Sequence, residues 1–139
     1  MPHIMNPNTG QSISYTKTSI KDMDTAIEGV SLASDWALAS HSKRLGYMKK
    51  FQRLLRMHQH DLMHAISTET GKPYWESFTE VHASINKIDA TIAAYDYRCS
   101  YPVIKTQKKT TKTVVRPIGT IAVLGPFNFP LHIPNGQII

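Results

Sequence analysis

The sequence has a single cysteine, Cys99, among its 139 residues. That excludes an internal disulfide framework and suits a reducing compartment. There is no N-terminal apolar run of signal-peptide length and no stretch approaching a membrane span, and a cytoplasmic location is expected. No internal repeat is present, and the only biased stretch is a threonine- and lysine-rich ribbon over residues 103–115. Acidic residues are in deficit, 10 against 16 Lys and Arg, for a formal net charge of +6. The excess invites a nucleic-acid reading, because Lys105, Lys108, Lys109 and Lys112 lie close together. In residues 105–113, however, the lysines fall on both faces of an extended ribbon, with threonines between them and no aromatic side chain to stack on a base. That pattern fits a solvated or intersubunit strand better than a nucleic-acid-binding one, and no nucleic-acid partner is expected.

An apolar content of 41% is enough for a core at one-domain length. Residues 1–18 are polar and punctuated by Pro7 and Gly10, which reads as an extended surface arm. A helix is expected from Asp22, capped by Ser19 or Asp22, with Ile27, Val30, Ala33 and Ala37 at helical spacing before Trp36 and a break near Ser40 and Ser42. A second helix carries Leu45, Met48, Leu55, Leu62 and Ile66 on one stripe and stops before Gly71. Pro73 suits the first turn of a third, in which Phe78, Val81, Ile85, Ile88, Ile92 and Tyr95 recur at three- and four-residue steps. Pro102 closes it.

The ribbon at 102–116 has the period of a strand and no apolar face until Val114, so it should project from the core. Residues 118–124, Ile-Gly-Thr-Ile-Ala-Val-Leu, form a short apolar run with β-branched members, as expected of a parallel strand covered on both faces. Such strands deliver ligand sites at their C-terminal ends. This one runs into Gly125-Pro126-Phe127-Asn128-Phe129-Pro130, a rigid turn. The last residues, Asn135-Gly136-Gln137-Ile138-Ile139, follow with no further strand to pair with it, so the α/β unit reads as begun and incomplete.

That turn resembles the Pro-Trp-Asn-Phe-Pro element of the NAD(P)-dependent aldehyde dehydrogenase superfamily. Asn6-Pro7-Asn8-Thr9-Gly10 resembles the family's opening motif, and Glu69-Thr70-Gly71-Lys72-Pro73 follows in the expected order. Gly71-Lys72-Pro73-Tyr74-Trp75-Glu76, and the His132 and Pro134-Asn135-Gly136 that follow the turn, are similar to the succinylglutamate-semialdehyde dehydrogenase branch. The resemblance covers essentially the whole chain and corresponds to the N-terminal part of a family member. It implies an α/β fold in pieces: an arm at 1–18, the helical part of a cofactor-binding domain at 19–101, a projecting oligomerisation ribbon at 102–116, and the first strand and turn of a Rossmann-like sheet, truncated, at 117–139.

From its residue type alone, Asn128 reads as a turn residue satisfying backbone groups between prolines. The resemblance implies a catalytic role. Its side-chain amide would point at the aldehyde oxygen and stabilise the negative charge that develops when a nucleophile adds to the carbonyl. By the same resemblance Leu124, Gly125, Pro126 and Phe127 line the nicotinamide half of an NAD site. Phenylalanine at 127 keeps an apolar wall where the family has tryptophan and loses the indole N–H.

Other constellations carry less. His60-Asp61-Leu62-Met63-His64 places histidines four apart, as in zinc proteases, but aspartate is a methylene short of the usual base and no third ligand is signposted, so no metal is assigned. Cys99, at a helix end, reads as an inert thiol. His132 reads as a capping or packing group, and Glu80 and Arg98 as structural.

The family mechanism also needs a glycine-rich cofactor loop, a ribose-binding lysine, a glutamate base and a cysteine nucleophile. The resemblance places all of them downstream of Ile139. The expectation is an N-terminal segment of an enzyme that oxidises an aldehyde, N-succinylglutamate 5-semialdehyde in arginine catabolism, to a carboxylate with NAD. The 139 residues alone should be inactive, working as part of a homo-oligomer of the full-length chain or with a complementing C-terminal fragment. The alternative is a noncatalytic remnant or oligomer-interaction module. Uncovered helix stripes predict poor solubility in isolation.

Overall fold

The computed structural model describes residues 3–139; Met1 and Pro2 of the expected arm lie outside the described residues. The arm is a small hairpin of β1 (His3–Met5) and β2 (Ser12–Ser14), antiparallel with Ile4 opposite Ile13. Helix α1 (Ile20–Ser31) begins with a capping box. Ser19 Oγ accepts from the Asp22 amide at 3.1 Å, and Asp22 Oδ2 accepts from the Ser19 amide at 2.9 Å. This helix buries no residue, and the expected continuation through Ala37 is instead a separate short helix, α2 (Ser34–Leu38).

Helices α3 (His41–Met57), α4 (Gln59–Thr70) and α5 (Tyr74–Arg98) form the body of the molecule. The apolar stripes meet as their spacing dictates: Leu55 from α3, Met63 and Ile66 from α4, and Val81, Ile85 and Ile88 from α5 make the core, with Met48, Phe51, Leu62 and Ile92 against it. The single helix expected through residues 45–66 is divided at His58, whose φ of −101° and ψ of 18° cap α3 and open α4. No glycine or proline marks the break, and the apolar spacing runs across it undisturbed. Pro73 sits at the N-cap of α5 rather than in its first turn, where its φ of −54° and missing N–H cost the helix nothing.

Beyond α5 the chain makes a small projecting ladder, β3 (Ile104–Lys105) with β4 (Thr110–Thr111), its turn closed by the Thr106 amide donating to Lys109 O at 2.8 Å. The sheet strand expected at 118–124 does not form. Among the described residues the only ladders are the two antiparallel pairs. The segment leaves Ile118 90% and Leu124 85% exposed. A strand exists only when its N–H and C=O groups meet a neighbour, and among the described residues no strand pairs with this one, so its β-forming composition has no ladder to join. After a turn, α6 (His132–Ile138) packs on α5, with Leu131 and Ile139 against the core.

Candidate functional site

The site is built outward from Gly71. Helix α4 ends there in a left-handed conformation, φ +73°, with the Gly71 amide donating to Ser67 O at 3.0 Å. The hairpin turn of the arm lies against this glycine, so closely that a Cβ on Gly71 would stand 2.3 Å from Pro7 Cγ. Asn6 shapes that turn, its Oδ1 accepting from the amides of Asn8 at 2.9 Å and Thr9 at 3.2 Å.

The next residue, Lys72, turns inward. Its ammonium donates to Glu80 Oε2 at 2.7 Å, and the side chains are only 11% and 1% exposed. The other carboxylate oxygen, Oε1, accepts from the backbone amides of Leu131 at 3.0 Å and His132 at 3.2 Å, where the chain enters α6. A buried carboxylate is tolerable only when its lone pairs are engaged by such donors. The Lys72 ammonium also stands 4.0 Å from the centroid of the Phe129 ring, a cation–π contact. Asn135 ties α6 down from its far side, donating from Nδ2 to Ser84 O at 2.9 Å. Ser84 is fully buried, and its small side chain lets α6 approach. Two polar atoms here, His132 Nδ1 and Asn135 Oδ1, are buried without a partner.

Between these anchors lies the turn. The Phe129 amide reaches back to Pro126 O at 3.4 Å, which puts Phe127 and Asn128 at its two central positions. Asn128 is exposed at its crest. Phe127, 88% exposed, and Leu124 present apolar surface beside it. Gly125 packs under α6, where an added Cβ would meet Pro134 Cγ at 2.9 Å. Of the five residues singled out in the sequence, Leu124, Gly125, Phe127 and Asn128 are exposed and Pro126 is half-buried. A groove of about 770 Å³ lies elsewhere, between α1–α2 and residues 115–120, and contains none of them.

The arrangement has an exposed neutral amide donor flanked by an apolar wall and held from beneath by a buried ion pair. Lys72 and Glu80 were legible as a motif residue and a structural residue, but not as supports of the turn. The available signal was a carboxylate set among Ser77, Val81, Ser84 and Ile85 on the inward stripe of α5, since an acidic residue on such a face implies a bound partner. Cys99 is the C-cap of α5, its amide donating to Tyr95 O at 2.8 Å. His58 Nδ1 lies 3.4 Å from Asp61 Oδ2 on the exposed face of α4. Among the described residues no group of three or more His, Cys, Asp or Glu side chains is arranged to hold a metal, and no helix is long and apolar enough to cross a membrane.

With the motifs joined in this way, the comparison with known proteins is direct. The model of the aldehyde dehydrogenase family matches residues 2–139, and the chain belongs to that family. It is 41% identical over 104 residues to the N-succinylglutamate 5-semialdehyde dehydrogenase of Yersinia pestis (strain Pestoides F). It is 43% identical over 104 residues to the protein of the same name from Salmonella paratyphi B. Each match covers 75% of this chain and 21% of the relative, so the chain spans about a fifth of the length of the curated relatives it matches.

Proposed function

We propose that this chain serves an NAD-dependent oxidoreductase that converts N-succinylglutamate 5-semialdehyde to the carboxylate in the cytoplasm, and that it is the N-terminal segment of that enzyme. Two facts support the substrate and the segment reading: the shared name of the relatives, and the fifth of their length that the chain spans. The nucleophile, the general base and the phosphate-binding loop are then supplied by residues beyond these 139, in one longer chain that oligomerises or in a complementing fragment.

The observation that carries the reading is Asn128 at the crest of a turn anchored from below. When a nucleophile adds to the aldehyde carbon, the carbonyl oxygen gains a full negative charge. An amide N–H already aimed at that oxygen lowers the barrier without reorganising in the step. Asn128 is neutral, so it donates without competing for a proton, and its exposure leaves the amide free to meet the substrate.

The residues beside it fit one part of NAD. Leu124, Pro126 and Phe127 offer an open apolar edge against which a flat nicotinamide ring packs, and Gly125 keeps the backbone close to α6. Bound there, NAD would supply the hydride acceptor for the oxidation. The contribution of this chain is to hold one side of the ring and to polarise the oxygen.

The test uses a complete enzyme in which residues 1–139 replace the matching part of the Salmonella paratyphi B relative, followed by NADH formation with N-succinylglutamate 5-semialdehyde. Activity in the chimera is expected, and Asn128→Ala should lower kcat by about 10²–10³-fold, the loss typical of one oxyanion donor. An Asn128→Ala chimera with unchanged kcat would sink the assignment.

A further inference from the structure

The proposed chemistry leaves Glu80 unused, yet its surroundings are the most elaborate in the molecule. It is a carboxylate on the inward stripe of α5, and its side chain makes its bonds away from that helix: Oε2 to Lys72 Nζ at 2.7 Å, Oε1 to the amides of Leu131 and His132 at 3.0 and 3.2 Å. Lys72 in turn places its charge 4.0 Å from the centroid of Phe129, the residue following Asn128. The turn is therefore gripped twice, once through the Phe129 ring and once through the backbone just beyond Pro130. On the other side, the Phe129 amide closes it on Pro126 O.

A buried ion pair is weak evidence of stabilisation, because an apolar pair of the same volume often serves as well. What an apolar pair cannot do is bond two backbone amides and hold an aromatic face by charge at the same time. We propose that Lys72 and Glu80 are positioning residues that fix Phe129 and the entrance to α6, and so hold the Asn128 amide in one orientation toward the aldehyde oxygen. This inference rests on the reading of Asn128 as the oxyanion donor. A donor that must be reoriented in each turnover loses most of its worth, so the rigidity of its support appears in kcat rather than in substrate affinity.

The experiment compares Lys72→Met, Lys72→Arg, Glu80→Gln and Asn128→Ala in the chimeric enzyme, measuring kcat, KM and amide hydrogen exchange. Lys72→Met should lower kcat on the order of 10- to 100-fold, the scale expected of a small misplacement, with little change in KM, and Lys72→Arg should restore much of it. Glu80→Gln keeps an acceptor oxygen for the two amides and loses the charge, so it should fold and still lower kcat. In both Lys72→Met and Glu80→Gln, exchange should quicken at Leu131 and His132 and stay slow in α4.

If Lys72→Met and Glu80→Gln leave kcat intact while Asn128→Ala abolishes it, the positioning role is overturned and the reading of Asn128 stands. Loss of kcat accompanied by faster exchange throughout α4 and α5 would also overturn it, since the pair would then be a support of the fold alone. Unchanged kcat in Asn128→Ala overturns the functional reading, and with it the role assigned to the pair.

Discussion

The side-chain amide of Asn8 donates to the backbone carbonyl of Gly71 at 2.6 Å, joining positions 63 residues apart. Through this contact the arm is registered on the end of α4. Gly71 is followed directly by Lys72, so the same joint sets where the lysine begins its reach toward Glu80 and Phe129.

Gly71 itself is the sensitive point of that joint. Gly71→Ala would impose a left-handed φ of +73° on an alanine and drive its Cβ to within 2.3 Å of Pro7 Cγ. The conformational part costs about 1–2 kcal/mol, and the clash adds displacement of the arm. Gly10 has a similar φ of +68° with nothing near the added Cβ, so Gly10→Ala should show the conformational part alone. Urea unfolding followed by circular dichroism should rank Gly71→Ala clearly below Gly10→Ala. Equal midpoints would mean that the arm does not dock on Gly71 in solution.

Asp89 gives the fold a defined acid sensitivity. Its hydrogen bonds from Lys49, then from Gln52, hold its pKa below the ordinary value of 3.8. A carboxylate depressed in the folded state binds fewer protons there than in the unfolded chain. Its stabilisation is therefore present above 3.8 and is lost as pH falls through the depressed value. Gln52 is buried and spans from Asp89 Oδ2 at 2.8 Å to Ile85 O at 2.9 Å, so protonation loosens α3 from α5. Asp89→Asn should flatten the acid limb of a stability-versus-pH curve. An unchanged limb would exclude Asp89 as its source.

The core offers a test of packing against exposure. Ile88 has no exposed surface, and Ile88→Ala should cost about 2–5 kcal/mol through lost burial and the cavity left behind. Leu38, on the short and exposed α2, should tolerate alanine to within about 0.5 kcal/mol. Chemical denaturation of the two variants distinguishes them, and similar losses would mean that α2 is buried in solution.

These residues also show what the sequence discloses. The stripes of α3, α4 and α5 were legible because helical spacing is local, and the Gly71 cap because only glycine suits its φ. The break at His58 was hidden, since the apolar spacing passes through it and neither glycine nor proline announces it. The strand at 118–124 was read from real β propensity, but propensity supplies no neighbour, and pairing is a long-range property. The support of the turn was obscured for the same reason. Glu80 and the Leu131 amide are 51 residues apart, and only the packing of α6 on α5 brings them together.

The segment that lacks a neighbour leads to the last prediction. Ile118, Leu124 and Phe127 are 85% exposed or more on a stretch that joins no ladder among the described residues. Each such side chain forgoes about 1.5–3 kcal/mol of burial, and an unpaired apolar strand edge is a template for association. The 139-residue chain should therefore self-associate in a concentration-dependent way through this stretch. Ile118→Lys with Leu124→Lys should suppress the association seen by light scattering while leaving the helical circular dichroism intact, because neither residue belongs to the α3–α5 core. Loss of helix in the double variant would place this segment inside the folded unit. Unchanged aggregation would shift the sticky surface to Leu32 and Leu38, the other strongly exposed leucines, near the C-terminal ends of α1 and α2.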